Sequence, residues 1–109
     1  MSRLIVLVLC GICSGSIHAA DLFEIAPDLW DRPRSADAVL SQPAVRQAVA
    51  LYLARPGMQI VIYHDYGQTP LMQAEELKNW LMALAVDGAR IRLLNHTKPS
   101  EPMKIGILP

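Results

Sequence analysis

The amino-acid sequence predicts an α/β fold, a two-layer sandwich in which two helices cover one face of a small mixed sheet. The first observation is a run of four apolar, mostly β-branched residues at positions 60–63, which suits a strand covered on both faces. The second is an apolar stripe at helical spacing on either side of that run. The third is the order strand, helix, strand, helix, strand, strand, in which each helical crossover implies parallel neighbours.

Residues 1–20 differ from the rest of the chain and predict a secretory signal peptide. Arg3 provides a short basic lead, an apolar core follows at positions 4–9, and Ala19 and Ala20 are small residues at the end. The apolar run is short and interrupted by glycine and serine, which does not suit a membrane span. We expect cleavage after Ala19 or Ala20, secretion of the remaining chain, and no stable membrane insertion afterwards.

The composition argues against several classes of function once that segment is set aside. Both cysteines, Cys10 and Cys13, lie in the predicted signal peptide, so the secreted chain would have neither a disulfide nor a thiol. Of the ten basic residues only Arg3 lies there, which leaves nine basic against ten acidic side chains in residues 21–109. This balance gives no electrostatic basis for binding nucleic acid. The length fits a single domain, residues 21–109, with one modest core.

A short strand and an apolar anchor begin the mature chain. Residues 21–25 predict the strand, which Pro27 ends. Leu29 and Trp30 supply the anchor before a stretch that is rich in helix breakers.

The first helical region starts after those breakers. Ser35 is a suitable N-cap, and Pro43 suits the first turn of a helix. Two interpretations stay open: one bent helix from Ala36, or a short turn followed by a helix at Pro43. Further along, apolar residues fall at i, i+3, i+4, i+7 and i+8, namely Val45, Ala48, Val49, Tyr52 and Leu53. Pro56 and Gly57 then stop the helix and lead into the central strand.

The second helical region gives the strongest secondary-structure signal in the chain. Thr69 is its predicted cap and Pro70 its first residue. The side predicted to face the core is apolar and consists of Met72, Leu77, Trp80, Leu81 and Leu84. The side predicted to face solvent is polar and consists of Gln73, Glu75, Glu76, Lys78 and Asn79. Asp87 and Gly88 are predicted to end the helix.

Two further strands complete the predicted fold. Residues 91–95 predict one, a loop punctuated by proline follows at 96–102, and residues 103–108 predict the last. Because no helix joins this closing pair, we expect the two strands to lie antiparallel to each other. Both helices then cover one face of the sheet.

The chain turns polar where the central strand ends. His64, Asp65 and Tyr66 follow the apolar run, and Gly67 closes the loop. In open α/β folds, ligands bind just beyond the carboxyl ends of such strands. The sequence therefore predicts that any functional site includes this loop.

Two junctions and the closing strand resemble those of a known family. The first junction, in which a helix ends near a proline before an apolar strand and a histidine, reads Arg55-Pro56-Gly57-Met58-Gln59-Ile60-Val61-Ile62-Tyr63-His64. The second, in which a helix ends before a strand, reads Trp80-Leu81-Met82-Ala83-Leu84-Ala85-Val86-Asp87-Gly88-Ala89-Arg90-Ile91. With residues 103–108, they resemble an OmpA-like domain, the periplasmic module that associates with peptidoglycan. The resemblance covers residues 30–108 and implies that fold and that ligand.

The chain departs from the family at the ligand site. In the family, a loop aspartate and a helical arginine hold the diamino acid of the peptide stem. Asp65 matches the aspartate, or Tyr66 by a shifted alignment, but Glu76 stands at the arginine position. A carboxylate cannot replace a guanidinium as a receptor for a carboxylate, because it accepts hydrogen bonds and carries the opposite charge. An arginine would have to reach Asp65 from elsewhere, and the candidates are Arg32, Arg34 and Arg92.

These observations and the resemblance lead to two functional hypotheses for a non-catalytic, periplasmic envelope protein without cofactors. The first is a module that binds a peptidoglycan fragment through a rim formed by Trp30, Asp31, Arg32, His64, Asp65 and Tyr66. The second is a protein-interaction or assembly component of an envelope complex that kept the scaffold and lost peptidoglycan binding. The replacement by Glu76 motivates this second hypothesis.

Two enzymatic alternatives have weaker support in the sequence. His64, His96 and Asp65 follow strand ends and would supply the two histidines and one carboxylate of a metal site. Ser35, His64 and Asp65 would supply a hydrolytic set, although no nucleophile elbow surrounds the serine. We predict no metal and no catalytic residue.

Overall fold

A computed structural model describes residues 21–109 of the chain. The predicted signal peptide, residues 1–20, lies outside the described residues. The helices and strands are β1 (Asp21–Glu24), α1 (Ala36–Leu40), α2 (Pro43–Ala54), β2 (Gln59–His64), α3 (Gln68–Ala83), β3 (Ile91–Asn95) and β4 (Lys104–Leu108). Two 3-10 turns, Pro27–Asp31 and Gly88–Arg90, connect them. The predicted small α/β fold is confirmed.

The first helical region follows the second of its two open interpretations. α1 is a separate short helix, in which the Ser35 hydroxyl accepts the Ala38 N–H at 3.1 Å as an N-cap. Gln42 is extended, with φ −72° and ψ 120°, because a residue before proline is driven out of the α region. α2 therefore begins afresh at Pro43, where the missing N–H costs no helical hydrogen bond.

The strand order in the sheet is β1-β4-β2-β3. β2 and β3 are parallel neighbours, as the helical crossover between them predicts. The expected neighbours β1 and β2 are separated by β4, which runs antiparallel to both, and the expected closing pair β3 and β4 is separated by β2. Burial explains this arrangement, because the middle of β4 is buried and belongs inside the sheet. β1 is mostly exposed and suits an edge.

One hydrophobic core lies between the sheet and the helices. Ile60 of β2 pairs with Ile91 of β3 and with Ile107 of β4, so apolar side chains of three strands share one face. Val45 of α2 and Leu77 of α3 are fully buried in the same core. Both long helices therefore pack on that face, which gives the two-layer arrangement. Within residues 21–109, no helix combines the length and the apolarity that a bilayer span requires.

The start of α3 differs from the predicted one by two residues. The helix begins at Gln68, and Gly67 rather than Thr69 occupies the N-cap position. Gly67 has a φ of 108°, a conformation that side-chain-bearing residues rarely adopt. Pro70 is accommodated because the first N–H groups of a helix have no intrahelical acceptor.

The end of α3 lies before the predicted stop at Asp87 and Gly88. The helix ends at Ala83, and two crossed hydrogen bonds close it: Val86 N–H to Leu81 C=O at 3.0 Å, and Ala85 N–H to Met82 C=O at 3.2 Å. This is a Schellman motif, which needs a left-handed residue after the C-cap. Ala85 fills that position with a φ of 80°, although glycine is the residue that favours it.

Replacing Ala85 with glycine should therefore stabilise the protein. Relief of the left-handed alanine outweighs the entropy that glycine adds to the unfolded state, so we expect the free energy of unfolding to rise by about 0.5–1 kcal/mol. Ala83→Gly is the matched control, because Ala83 is also exposed but belongs to the helix, as its last residue. It should lower the free energy of unfolding by roughly 0.5–1 kcal/mol. Urea denaturation measures both, and equal losses in the two variants would contradict the assignment.

Candidate functional site

A cleft opens beside the carboxyl end of β2, between the β2–α3 loop and the segment that follows β1. We call it the rim cleft; its volume is about 280 Å³. Its lining residues are Ile25, Pro27, Trp30, Asp65, Pro70, Gln73, Ser100, Glu101, Pro102 and Met103. The cleft thus has largely apolar walls and two carboxylates.

Trp30 and Asp65 are the two predicted site residues that the structure brings together in this cleft. Trp30 belongs to the 3-10 turn Pro27–Asp31, which the fully buried side chain of Leu29 anchors to the core. Asp65 directly follows β2, and its carboxylate accepts the Tyr66 N–H at 2.6 Å. That hydrogen bond orients the carboxylate at the strand end and leaves its second oxygen available for a ligand.

The other four predicted site residues do not line the rim cleft. Asp31 and Arg32 are exposed, and Arg32 forms an exposed ion pair with Asp28 at 3.0 Å. His64 is buried, and its Nδ1 lies 3.0 Å from the Asp65 carbonyl oxygen. Tyr66 is 71% exposed and is not among the residues that line the cleft.

Arg34 is the arginine that reaches α3, and it binds Glu76. Its Nε donates to Glu76 Oε2 at 2.8 Å and its Nη2 donates to Oε1 at 3.1 Å, a bidentate pair. Its Nη1 donates to the carbonyl oxygens of Trp30 at 3.2 Å and Arg32 at 2.9 Å. All three guanidinium nitrogens are therefore occupied by groups of the chain itself.

Both tryptophans of the chain contact this pair. The Arg34 guanidinium carbon lies 5.6 Å from the Trp30 ring centroid, within range of a cation–π interaction. The Trp80 indole N–H donates to Glu76 Oε2 at 3.1 Å. We call these four residues the ion-pair cluster.

The ion-pair cluster corrects two expectations about α3. Glu76, predicted to face solvent, is turned towards Arg34 and is only partly exposed. Met72, predicted to face the core, is 59% exposed. Trp80 is partly buried against the core and uses its polar edge to bind the carboxylate. Compared with the predicted face, the face of α3 that packs on the core is therefore rotated away from Met72 and towards Ala74, which is fully buried.

The cluster also fixes the charge state of its two ionised members. The hydrogen bonds from Arg34, and then from Trp80, hold the pKa of Glu76 below its ordinary value. The same hydrogen bond to Glu76 raises the pKa of Arg34. Both groups are charged at neutral pH, and the pair holds the segment after β1 against α3.

The charged residues that line the rim cleft, Asp65 and Glu101, are both acidic. Sequence reasoning did not single out Glu101, which lies in the β3–β4 loop. Its carboxylate accepts the Lys98 N–H at 2.9 Å, and this bond lowers its pKa, as do nearby positive charges including Lys104. Chemically, the cleft suits a ligand that carries an ammonium group on an alkyl chain.

The residues of the two enzymatic alternatives have other roles or differ in their burial. Ser35 Oγ serves as the N-cap of α1. His96 is exposed and its ring lies against Tyr63, with centroids 6.0 Å apart, whereas His64 is buried. Among residues 21–109 no three histidine, aspartate or glutamate side chains come together as a metal site would require.

Comparisons of the chain with protein-family models, with curated proteins and with solved structures find no match. The resemblance to the OmpA-like family therefore stays a prediction, and the site is interpreted from its own geometry.

Replacing Glu76 with glutamine should destabilise the fold at neutral pH. The change removes a charged, bidentate and partly exposed pair, so we expect a loss of about 1 kcal/mol in the free energy of unfolding at pH 7. Glu75→Gln is the control, since Glu75 is exposed and forms no ion pair within residues 21–109. It should change stability by less than about 0.5 kcal/mol.

The pH dependence of that loss provides a second check. Because the pKa of Glu76 is lowered by folding, its stabilisation is complete above the ordinary glutamate pKa of about 4.3. It is lost as the pH falls through the lower pKa of the folded state. The stability gap between the native chain and Glu76→Gln should therefore shrink in acid. A gap independent of pH, in denaturation followed by tryptophan fluorescence, would contradict this assignment.

Proposed function

We propose that this chain is a non-catalytic, periplasmic envelope protein of OmpA-like fold, and that its rim cleft binds the amine-bearing peptide stem of peptidoglycan. The observation that carries the proposal is that Trp30 and Asp65 line one cleft at the carboxyl end of β2. Ligands bind at this end of strands in open α/β folds.

The chemistry of the cleft supports binding of an amine. An ammonium group on the peptide stem would pair with Asp65, a charge-assisted contact. The alkyl chain that carries the amine would lie along the apolar walls provided by Trp30, Pro27 and Pro70. The acidic pair Asp65 and Glu101 would repel a free carboxylate at the same position.

The ion-pair cluster changes how the family's ligand would be held. In the family, a guanidinium binds the carboxylate of the diamino acid, and Arg34 is the residue here that comes near. Four of its five N–H donors are taken, by Glu76 and by two backbone carbonyl oxygens. We therefore propose that recognition here depends on the amine and not on the carboxylate beside it.

Sedimentation with purified peptidoglycan tests the proposal. The native chain should co-sediment, and Asp65→Asn should release it, because the charge is lost while an oxygen that can accept the Tyr66 N–H is kept. Asp31→Asn is the matched control: it removes the same charge from the exposed rim outside the cleft. We expect a loss of about tenfold in affinity for the first variant and little change for the second.

Two outcomes of this experiment would contradict the proposal. One is a native chain that stays in the supernatant. The other is an equal effect of the two substitutions, which would attribute any binding to the general charge of the rim and not to the cleft.

The second candidate function, a protein-interaction or assembly component, is favoured by a different observation. Large apolar side chains are exposed on the β2–α3 loop and at the start of α3, namely Tyr66, Leu71 and Met72. Exposed apolar residues close together mark many protein contact surfaces. A partner on this surface would lie beside the rim cleft.

Site-specific photo-cross-linking in cells tests this candidate. A cross-linking amino acid at Met72 should capture one discrete protein. The same group at Leu53, which is equally apolar and exposed but lies on α2, is the control and should not capture it. Identical adducts from both positions, or none from Met72, would count against a partner at this surface.

A further inference from the structure

A second cavity lies on the side of the sheet away from the helices. Tyr63 and Lys104 pair across β2 and β4, and each alternates with a core residue, Ile62 and Ile105. They therefore point to the opposite face. The cavity has a volume of about 200 Å³ and is lined by Leu22, Tyr63, His96, Thr97, Glu101 and Lys104.

A strand glycine gives this cavity its shape. A Cβ at Gly106 would lie 3.0 Å from the Tyr63 ring and 3.1 Å from the Leu22 side chain. Both side chains therefore lie over the glycine, which permits their close approach. The apolar wall of the cavity depends on the absence of a side chain at this position.

A buried hydroxyl without a partner lies in the wall. Thr97 is only 6% exposed, and its Oγ1 has no hydrogen-bond partner within residues 21–109. Burying a hydroxyl without a hydrogen bond is unfavourable, and most buried polar groups in proteins avoid it. The hydroxyl oxygen has less than 1 Å² of accessible surface, so it is closed off from the cavity and out of reach of a ligand.

Two opposite charges line the same cavity. Glu101 and Lys104 are both among its lining residues, and Lys104 lies close enough to stabilise the ionised form of the Glu101 carboxylate. Glu101 is held in place by the Lys98 N–H. The cavity thus offers an anion, a cation and an apolar wall.

We propose that this cavity binds a small zwitterion, namely a free α-amino acid of about the size of alanine. The α-ammonium group would pair with Glu101 and the α-carboxylate with Lys104. The side chain of the ligand would contact Leu22 and the Tyr63 ring. The volume of the cavity accommodates a ligand of that size. Glu101 lines both cavities, whereas Tyr63, Thr97 and Lys104 line this one and not the rim cleft, so measurements at these three residues test the proposal separately from peptidoglycan binding.

Titration of the full chain with L-alanine, followed by NMR, tests the proposal. Saturable shifts should appear at Tyr63, Thr97 and Lys104. Propionate lacks the amine and ethylamine lacks the carboxylate, so each should bind at least about tenfold more weakly than L-alanine. Shifts that do not saturate, or equal affinities for the three probes, would overturn the proposal.

Two variants separate the charged groups of the cavity from the hydroxyl that is closed off from it. Lys104→Met, which keeps the aliphatic stem, should weaken L-alanine binding by about tenfold. Thr97→Val is the control: it removes an unpaired buried hydroxyl, so it should raise the melting temperature and leave L-alanine binding unchanged. A Lys104→Met variant that binds L-alanine as well as the native chain does would overturn the proposal.

Discussion

The ion pair between Arg34 and Glu76 is the interaction on which the architecture of the site depends. It joins the segment after β1 to α3, across 42 positions of the sequence, with two parallel hydrogen bonds. The same contact places Trp30 against the guanidinium and gives the Trp80 indole N–H its acceptor. The charges of Arg34 and Glu76 neutralise each other. The charge of the rim cleft is therefore set by Asp65 and Glu101.

Periodicity in the sequence predicted most of the elements of the fold but not the order of the strands. Apolar spacing and turn residues are local signals, so they indicate where helices and strands lie along the chain. Which strands pair depends on burial across the whole sheet. The insertion of β4 between β1 and β2 follows from the buried Ile105, Gly106 and Ile107, whose burial only the folded chain reveals. The left-handed conformation of Ala85 could not be predicted from the sequence either, because glycine is the residue that usually indicates such a turn.

The part of the candidate site that lies at the end of the central strand could be predicted from the sequence. Asp65 follows the central strand directly, so the general rule for α/β folds placed it in the cleft. Glu76 was expected to face solvent, because a carboxylate on a helix usually does, and its partner Arg34 lies on a distant segment. Glu101 and Thr97 lie in the β3–β4 loop, whose course depends on where β4 enters the sheet. No local pattern encodes that course.

We propose that the rim cleft recognises an amine and not a carboxylate. The most direct measurement is an NMR titration of the chain with a soluble peptidoglycan stem peptide and with the same peptide acetylated at its side-chain amine. We expect saturable shifts at the Trp30 indole N–H and the Asp65 amide for the free amine, and none for the acetylated form. Equal shifts with both peptides, or shifts with neither, would contradict it.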